Sequence, residues 1–336
     1  MGPNGREARS CDLVSLGEPL LRLTPPAGEL LRRATTVSVH VVGSQLNLAA
    51  NLARLGRCTK LLSKIPDTPL GLLVLDACRS YGLDVSNVAT VPGGKMGLTW
   101  VEQSAAPRVP LAVFDRAGSA ASTIDEADFP WAAILGDARF ACTDGIFPGL
   151  SAGCARAAEA FLVTARACGC VTCFDVNYRA HLWTPRAARA ALEKLLPHVD
   201  VLATSPDVSG EVFGFTGTDG EVMERYAACF GCKVVCLTSR EMMGLHRGAW
   251  NSKALVDGCV TEGVRQEFEI VDRYGTGDAW FAGFLHGYME GTVDRALSFG
   301  NALCAIAHTQ SGDVAHVTAQ QVEAIMGDKH DLRVKR

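Results

Sequence analysis

Apolar runs and amphipathic segments alternate along most of this chain, in the order expected for strands and helices. Asp12–Leu16 and Lys60–Ile65 are compact apolar runs of the kind that forms buried strands. Ser44–Gly56 and Leu70–Tyr81 repeat apolar residues at helical spacing, and a glycine marks the end of each segment. These segments predict the first strands and helices of an α/β domain.

Four further segments interrupt this progression in two pairs, and they alternate apolar and polar residues as half-exposed strands do. They are Leu20–Thr24, Thr35–Val41, Gly97–Gln103 and Val109–Asp115. We expect them to form a small antiparallel sheet outside the main domain. This organisation assigns residues 18–41 and 97–116 to a β lid, and residues 11–17, 42–96 and 117–328 to an α/β core.

The second half of the chain alternates strands and helices more regularly. The predicted strands are Arg139–Thr143, Val171–Asp175, Val199–Ala203, Lys233–Thr238, Leu245–His246 and Phe268–Val271. The predicted helices are Ser151–Cys168, Pro185–Leu196, Glu221–Phe230, Thr276–Met289, Asp294–His308 and Thr318–Met326. This alternation predicts a mainly parallel sheet with helices on both faces. Ligands of such sheets bind beyond the carboxyl ends of the strands.

Composition and charge narrow the function classes. The 336 residues are 48% hydrophobic and 20% charged, which is ample for a large core. The net charge of −4 and the lack of a basic run argue against nucleic acid as a partner. No apolar stretch approaches the roughly 20 residues of a membrane span, and Met1–Ser10 lacks the apolar core of a signal peptide. We therefore expect a cytoplasmic protein without a membrane partner.

Thirteen scattered cysteines fit the same compartment, because thiols stay reduced in the cytosol and bury like small apolar residues. Cys229 and Cys232 form a C-x-x-C pair, but no second such pair accompanies them. We therefore expect buried free thiols rather than a zinc site. The histidines show no metal-ligand spacing either, so the sequence leaves any metal ligands unknown.

The most informative stretch follows the apolar run Phe268–Val271 and opens a helix. Gly275, Thr276 and Gly277 stand where this helix begins, and the backbone N–H groups there have no partner inside the helix. The helix dipole adds partial positive charge, and glycine lets an anion approach the backbone closely. The turn therefore predicts an anion site, for which phosphate is the usual guest.

Asp278 follows directly and puts a carboxylate beside this anion site. It could cap the helix, because aspartate is favoured near helix N-termini. It could instead take the proton of an attacking hydroxyl while the N–H groups hold a phosphoryl group. The residues alone leave both interpretations open.

Polar residues at other element ends are further candidates. Asn47 and Asn51 lie one turn apart in the first helix, where an amide can face either a ligand or water. Arg179 follows the strand Val171–Asp175, and Arg116 follows a lid strand. An arginine at a strand end can grip a carboxylate or phosphate, or form a surface ion pair. The P-loop motif and the dinucleotide-binding G-x-G-x-x-G after a strand are both absent.

These residues carry a resemblance to the PfkB (ribokinase-like) sugar kinases over nearly the whole chain, and within them to 2-keto-3-deoxygluconate kinases. The matching stretches are Gly17–Leu21, Gly43–Gly56, Arg116–Ala120, Asp175–Trp183 and Gly275–Asp278. The resemblance implies a ribokinase-like three-layer α/β/α sandwich with a mainly parallel central sheet and a small antiparallel β lid. It also implies an ATP-dependent kinase that phosphorylates a hydroxyl of a keto sugar acid.

The family pattern further implies roles for individual residues. Asp278 would be the base, and Gly275, Thr276 and Gly277 would form the anion hole. The substrate would be bound by residues of the core and the lid, namely Gly43, Asn47, Thr99, Phe114, Arg116 and Arg179. The nucleotide would be bound by Ser205, Thr238, Gly244, Gly277 and Asn301. The implied cofactors are ATP, Mg²⁺ and a monovalent cation, and the lid would form a contact in a homodimer or higher homo-oligomer.

Several positions depart from the family pattern and leave alternatives open. Val42 stands where a glycine is usual, and Thr99 and Phe114 stand where ketodeoxygluconate kinases tend to have tyrosines. The Asn-x-x-Glu element falls on Ser205–Val208 without its glutamate, and the Gly-rich ATP loop, Thr238–Gly244, lacks its first glycine. A kinase for a neutral sugar such as fructose, ribose or a nucleoside therefore stays open, as does a binding protein with little catalysis.

Overall fold

The computed structural model describes residues 9–104 and 107–326, so most of Met1–Ser10 lies outside the described residues. The strands are β1 (Cys11–Leu16), β2 (Leu20–Thr24), β3 (Ser38–Val42), β4 (Thr59–Pro66), β5 (Val88–Val91), β6 (Gly97–Glu102), β7 (Leu111–Asp115), β8 (Ala138–Asp144), β9 (Val171–Asp175), β10 (Val201–Thr204), β11 (Val234–Met242), β12 (Arg247–Val256), β13 (Cys259–Glu262) and β14 (Gln266–Glu269). The helices are α1 (Ser44–Arg54), α2 (Pro69–Tyr81), α3 (Trp131–Leu135), α4 (Ala152–Ala167), α5 (Pro185–Leu195), α6 (Pro206–Val208), α7 (Asp219–Phe230), α8 (Thr276–Glu290), α9 (Val293–His308) and α10 (Ala319–Met326).

A large sheet forms the middle layer, in the order β13-β12-β11-β10-β9-β8-β1-β4-β5, with β14 also paired to β12. The ladders between β5 and β11 are parallel, whereas β12 runs antiparallel to β11, β13 and β14. One apolar cluster contains Leu13 and Trp280, and a second contains Phe161 and Phe174. The structure confirms the predicted three-layer sandwich with a mainly parallel sheet.

The lid is a separate sheet with the strand order β3-β2-β6-β7. The β2–β3 and β6–β7 ladders are antiparallel, as the alternating pattern predicted. The two pairs meet through a parallel ladder between β2 and β6, in which Leu20 lies opposite Gly97. Alternation of side chains reports which face is exposed but not the strand direction, so the sequence did not reveal this central parallel ladder.

The largest difference from the prediction is the β11–β12 hairpin. β11 does not end at Thr238 but continues to Met242, which pairs with Gly248 of β12. The predicted strand Leu245–His246 is instead part of the hairpin turn. β12 was not predicted because polar residues, such as Lys253, interrupt its apolar residues. In the folded protein Lys253 forms an ion pair with Asp219, which lets it lie within the strand. The four-residue strands β5 and β13 were also missed, because they are too short to show a period.

Nine of the thirteen cysteines are buried and all thirteen are free thiols, which agrees with the expected thiol state for most of them. Cys58, Cys229 and Cys259 are exposed instead. Among the residues that the structure describes, no group of three or more His, Cys, Asp or Glu side chains could hold a metal ion. No helix in the described part of the chain is long and apolar enough to cross a membrane.

Candidate active site

A cavity of about 830 Å³ opens between the carboxyl edge of the main sheet and the lid. Asp144, Asp175 and Ser205 line it from the ends of β8, β9 and the loop after β10. Thr99 and Phe114 line it from the lid strands β6 and β7. This is the place where parallel α/β sheets bind ligands.

The turn before α8 borders this cavity and requires glycine. Gly275 has φ +69°, and a Cβ atom there would lie 2.2 Å from the carbonyl oxygen of Asp313. Thr276 and Gly277 are the first residues of α8, and a Cβ on Gly277 would meet no atom within 4 Å. The unpaired N–H groups of this helix start therefore border open space, as an anion site requires.

Asp278 lies in the first turn of α8, with its carboxylate held by side chains of α1. Ser44 Oγ donates a hydrogen bond to Asp278 Oδ1 at 2.8 Å, and Asn47 Nδ2 donates to Oδ2 at 2.7 Å. No side chain caps α8, so the capping interpretation of Asp278 is wrong. Burial raises the pKa of Asp278 to about 6, while the two hydrogen bonds and Arg179 oppose the rise. The carboxylate is therefore mostly ionised at neutral pH and able to accept a proton.

The start of α1 depends on Gly43, which precedes the helix at φ +152°. A Cβ atom there would lie 2.4 Å from the carbonyl oxygen of Glu18, so the close approach of the two backbones requires glycine. Ser44 is the first residue of α1, and no described side chain caps this helix. The hydroxyl of Ser44 instead bonds Asp278 and accepts a hydrogen bond from Asn177 Nδ2 at 3.1 Å.

The two amides of α1 face different surroundings. Asn47 reaches Asp278 and lines the cavity. Asn51 donates to the carbonyl oxygen of Asn47 at 2.8 Å and accepts from the N–H of Ala315 at 2.9 Å. The structure therefore brings Asn47 to the site and uses Asn51 inside the fold.

Two further aspartates belong to the site, although the sequence analysis gave them no role. Asp144 Oδ1 accepts hydrogen bonds from the N–H groups of Ile146 and Phe147 at 2.9 and 3.0 Å. Burial raises the pKa of Asp175 to about 7, and the neighbouring carboxylates of Asp278 and Asp144 add to the rise. Each residue is the last residue of a buried parallel strand. Ligands of such sheets bind at these strand ends, so this position in the sequence could have identified both aspartates as site residues.

Arg116 and Arg179, the two predicted carboxylate-binding arginines, differ in their partners. Both line the cavity. Arg116 is buried and forms an ion pair with Glu18, with Nε 2.8 Å from Oε2. Arg179 is exposed, and within the described part of the chain its guanidinium makes no ion pair or hydrogen bond. Arg179 therefore faces the cavity as a cation without a direct ion-pair partner among the described residues.

Two arginines that the sequence analysis did not assign also line the cavity. Arg240 Nη2 donates to Thr276 Oγ1 at 3.0 Å, and its guanidinium carbon lies 5.4 Å from the centre of the Trp250 ring. Arg273 lies two residues before Gly275, the first residue of the anion turn Gly275–Gly277, and its side chain donates to the carbonyl oxygen of Leu245 at 3.4 Å. Arg240 falls in the predicted loop Thr238–Gly244, whereas the structure extends β11 through this residue and brings it to Thr276 of the anion turn.

The predicted nucleotide-binding residues do not all reach the cavity. Ser205, Thr238 and Gly277 line it. Gly244 lies in the β11–β12 turn and does not, because β11 continues past the predicted loop. Asn301 also lies away from the cavity lining and is fully buried.

The carboxamide of Asn301 serves the core instead. Its oxygen accepts hydrogen bonds from Ser252 Oγ at 2.6 Å and Trp280 Nε1 at 3.1 Å, and its nitrogen donates to the Val264 carbonyl oxygen at 2.9 Å. Two acidic residues, Asp207 and Glu241, lie in the segments that depart from the family's nucleotide-binding pattern. Asp207 lines the cavity, whereas Glu241 pairs with Arg265 at 2.7 Å and does not.

The lid residues Thr99 and Phe114 both reach the cavity but present different chemistry. The hydroxyl of Thr99 is buried and has no hydrogen-bond partner within residues 9–104 and 107–326. Phe114 stacks on His181, with ring centres 4.2 Å apart. Thr99 thus presents an unpaired hydroxyl to the cavity, and Phe114 presents an apolar surface.

Comparison with known proteins identifies the family to which this chain belongs. The model of the pfkB family of carbohydrate kinases matches residues 12–319. The chain belongs to the pfkB family. The residues matched by the pfkB model include the anion turn and Asp278, whose carboxylate is held by Ser44 and Asn47.

Individual relatives of this pfkB protein match along nearly their whole length. A 2-dehydro-3-deoxygalactonokinase of Haloferax volcanii is 34% identical over 318 residues, which cover 94% of this chain and 97% of the relative. A 2-dehydro-3-deoxygluconokinase of Thermoproteus tenax is 29% identical over 306 residues, with coverage of 90% and 89%. The crystal structure of 2-dehydro-3-deoxygluconokinase from Thermotoga maritima superposes with a TM-score of 0.90 at 28% identity, covering 96% and 99% of the two chains. This likeness confirms the ribokinase-like fold class.

Proposed function

We propose that this protein is an ATP-dependent kinase for 2-keto-3-deoxygluconate or a similar keto sugar acid, such as 2-keto-3-deoxygalactonate. The observation that carries the proposal is the ionised carboxylate of Asp278, which Ser44 and Asn47 hold beside the anion turn of a pfkB-family chain. The relatives from Haloferax volcanii and Thermoproteus tenax and the structure from Thermotoga maritima are kinases of 2-dehydro-3-deoxy sugar acids. "2-Dehydro" is another name for "2-keto", so these are the same class of compound.

The proposed reaction uses Asp278 and the anion turn together. A substrate hydroxyl next to Asp278 gives its proton to the carboxylate as its oxygen attacks the γ-phosphorus of ATP. The bond between the γ-phosphorus and the bridging oxygen breaks, and ADP leaves with that electron pair. The N–H groups of Gly275, Thr276 and Gly277 stabilise the charge on the transferred group.

The nucleotide would extend from the anion turn toward Ser205 and Thr238, which line the same cavity. Magnesium commonly binds phosphate oxygens with only one or two protein carboxylates, and it keeps several waters. Asp175 and Asp207 line the cavity and fit that pattern, so Mg²⁺ would be held mainly by ATP. The monovalent cation implied by the family resemblance stays a prediction, which activity in potassium chloride against choline chloride would test.

Recognition of the sugar acid would rest on one cation and on unused polar atoms. Arg179 would pair with the substrate carboxylate, since an arginine fork matches a carboxylate well. Thr99 Oγ1 and Gln45 Oε1 are buried without a hydrogen-bond partner among the described residues, and they would bind sugar hydroxyls. Gly43, Asn47, Phe114 and Arg116 would shape the remaining wall. A neutral sugar would leave Arg179 without its counter-charge.

We further propose a cytoplasmic homodimer or higher homo-oligomer that uses the lid, with the lid at residues 18–41 and 97–116. Leu111 and Val113 of β7 are 48% and 45% exposed, and they alternate with the cavity-lining Ala112 and Phe114. Such an exposed apolar face is typical of a protein contact. Sedimentation analysis of the wild type and of Val113→Asp tests this, since the charge would weaken the association.

The kinase proposal is tested by ADP release in a coupled assay, with and without Mg²⁺. The acceptors are 2-keto-3-deoxygluconate, 2-keto-3-deoxygalactonate, fructose, ribose and adenosine. We expect Mg²⁺-dependent ADP release with one or both keto acids and none above background with the neutral acceptors. Turnover of a neutral sugar alone would favour the neutral-sugar kinase. If the folded protein releases no ADP with any of the five acceptors, the result would favour a binding protein.

A further inference from the structure

We propose that Arg240 is a catalytic residue that contacts the phosphoryl group during its transfer. The proposal rests on the kinase function above and adds one side-chain cation to the backbone N–H groups of the anion turn. Three features of the structure carry it, namely the position of Arg240, its fixed orientation and the lack of a counter-charge.

The position of Arg240 follows from the extended hairpin. β11 continues past Thr238, and Arg240 pairs with Trp250 in the ladder with β12. The side chain of Arg240 lines the cavity and reaches Thr276, a residue of the anion turn. A group bound at the N–H groups of Gly275 to Gly277 would therefore lie next to this guanidinium.

The orientation of Arg240 is fixed before any ligand binds. Nη2 donates to Thr276 Oγ1 at 3.0 Å, and Thr276 Oγ1 in turn donates to the carbonyl oxygen of Arg273 at 3.2 Å. The guanidinium carbon also lies over the Trp250 ring, 5.4 Å from its centre. A donor that is already oriented costs little reorganisation when negative charge develops in front of it.

The guanidinium of Arg240 makes no ion pair with any residue that the structure describes. Five arginines line the cavity within the described residues, and two of them are neutralised by carboxylates. Arg22 pairs with Asp272 at 2.8 Å, and Arg116 pairs with Glu18. The three that make no ion pair are Arg179, Arg240 and Arg273.

A ligand anion is the natural counter-charge for these three arginines. Arg240 is open to the cavity, yet the atoms packed around it desolvate the guanidinium and lower its pKa, and Arg273 and Arg179 add to the lowering. Gathering like charges is unfavourable unless an anion joins them. Of the three, only Arg240 donates to a residue of the anion turn, whereas Arg273 is turned toward Leu245. This contact favours phosphate over the sugar carboxylate as the ligand of Arg240.

The expected contribution is that of a side chain that stabilises charge on the transferred group. Loss of one such donor typically lowers kcat by roughly 10²–10³-fold. Lysine supplies a point charge without the planar fork, so Arg240→Lys should keep part of the activity that Arg240→Met loses. Neither change should alter the binding of the sugar acid by more than about threefold, because the proposed contact forms with the phosphoryl group.

The test compares the wild type, Arg240→Met, Arg240→Lys and the control Arg247→Met. Arg247 lies on the same hairpin, is 61% exposed and pairs with Glu267 at 2.7 Å outside the cavity lining. We would measure kcat and both KM values for each protein. We would also measure ADP·Mg affinity with and without aluminium fluoride, which mimics the transferred phosphoryl group and does not require turnover. Circular dichroism and Tm establish that each variant is folded.

We expect Arg240→Met to lose kcat by about 10²-fold or more and to lose the gain in ADP affinity that aluminium fluoride gives the wild type. Arg247→Met should behave like the wild type. The proposal would be overturned if Arg240→Met kept the kcat of the wild type and the same gain in ADP affinity on addition of aluminium fluoride. A raised KM for the sugar acid with an unchanged kcat would also overturn it, by assigning Arg240 to the substrate carboxylate.

Failure of the kinase proposal would be separable from failure of the Arg240 proposal. Absence of turnover in the wild type would contradict the kinase function, and binding of inorganic tripolyphosphate would then decide for Arg240. A loss of about tenfold or more in tripolyphosphate affinity in Arg240→Met, with Arg247→Met unchanged, would support a phosphate contact. Equal affinities in all variants would overturn it.

Discussion

Arg116 Nε donates to Glu18 Oε2 at 2.8 Å, and both side chains are nearly buried, with exposed fractions of 8% and 1%. Burial raises the pKa of Glu18, whereas Arg116 and the hydroxyl of Ser119 oppose the rise. Arg116, which the sequence predicted as a ligand of the substrate carboxylate, is therefore already paired with a carboxylate of the protein. The two predicted arginines therefore differ in role. Arg116 supports the wall of the cavity, whereas Arg179 is available to bind the substrate carboxylate.

Arg116→Met should therefore lower stability. Removing one partner of a buried ion pair leaves the other charge unpaired, which costs roughly 3–5 kcal/mol. Urea denaturation should show this loss, and the double variant Arg116→Met/Glu18→Gln should recover part of it. A stability equal to that of the wild type, together with a raised KM for the sugar acid, would instead make Arg116 a ligand-binding residue.

Arg179→Met should impair substrate binding without unfolding the protein. Loss of a charged hydrogen bond to the substrate carboxylate costs about 1.5–3 kcal/mol, so the KM of the keto acid should rise roughly 10–150-fold. The KM of ATP should change little. Arg189→Met is a matched control, because Arg189 is an exposed arginine of α5 that pairs with Glu193. Equal KM values in Arg179→Met and the wild type would refute the role of Arg179.

The reaction should lose rate in acid. Asp278 must be ionised to accept the hydroxyl proton, and burial raises its pKa to about 6. As the pH falls through about 6, kcat/KM should therefore decline and approach a tenfold loss per pH unit. A profile of kcat/KM between pH 5 and 9 checks this, with coupling enzymes kept in excess at each pH. A flat profile down to pH 5 would be incompatible with Asp278 as the base.

The raised pKa of Asp278 should also appear in stability. The pKa is 3.8 in the unfolded reference and about 6 in the folded protein, so between these values the folded state holds a proton that the unfolded state has released. Stability from this group is present in acid and is lost as the pH rises through about 6. Relative to Asp278→Asn, the wild type should lose on the order of 2–3 kcal/mol of unfolding free energy between pH 4 and 7. Urea titrations at both pH values measure the difference, and a constant difference would contradict the shift.

The sequence predicted the parts of this protein whose cause is local. The turn Gly275–Gly277 and the strand that ends at Asp175, ahead of Arg179, were predicted because glycine spacing and apolar runs indicate backbone geometry directly. The three-layer architecture followed from the order of strands and helices, which the parallel ladders from β5 to β11 confirm.

The rest depended on contacts between distant residues. No local pattern indicates that Ser44 contacts Asp278, since the two residues lie on different helices. The pairing of Arg116 with Glu18 is equally non-local. Arg240 was hidden for another reason, because the length of β11 is set by its ladder with β12 and not by its own side chains. Tertiary pairing therefore decided which polar residues reach the cavity.

The most direct test of the central claim is the turnover of Asp278→Asn with a keto sugar acid and ATP·Mg, together with calorimetric binding of each substrate. Asparagine keeps the size of the side chain but cannot accept the proton, so we expect kcat to fall roughly 10²–10⁴-fold while both dissociation constants stay within about threefold. A folded Asp278→Asn variant with the kcat of the wild type would contradict the assignment of Asp278 as the base.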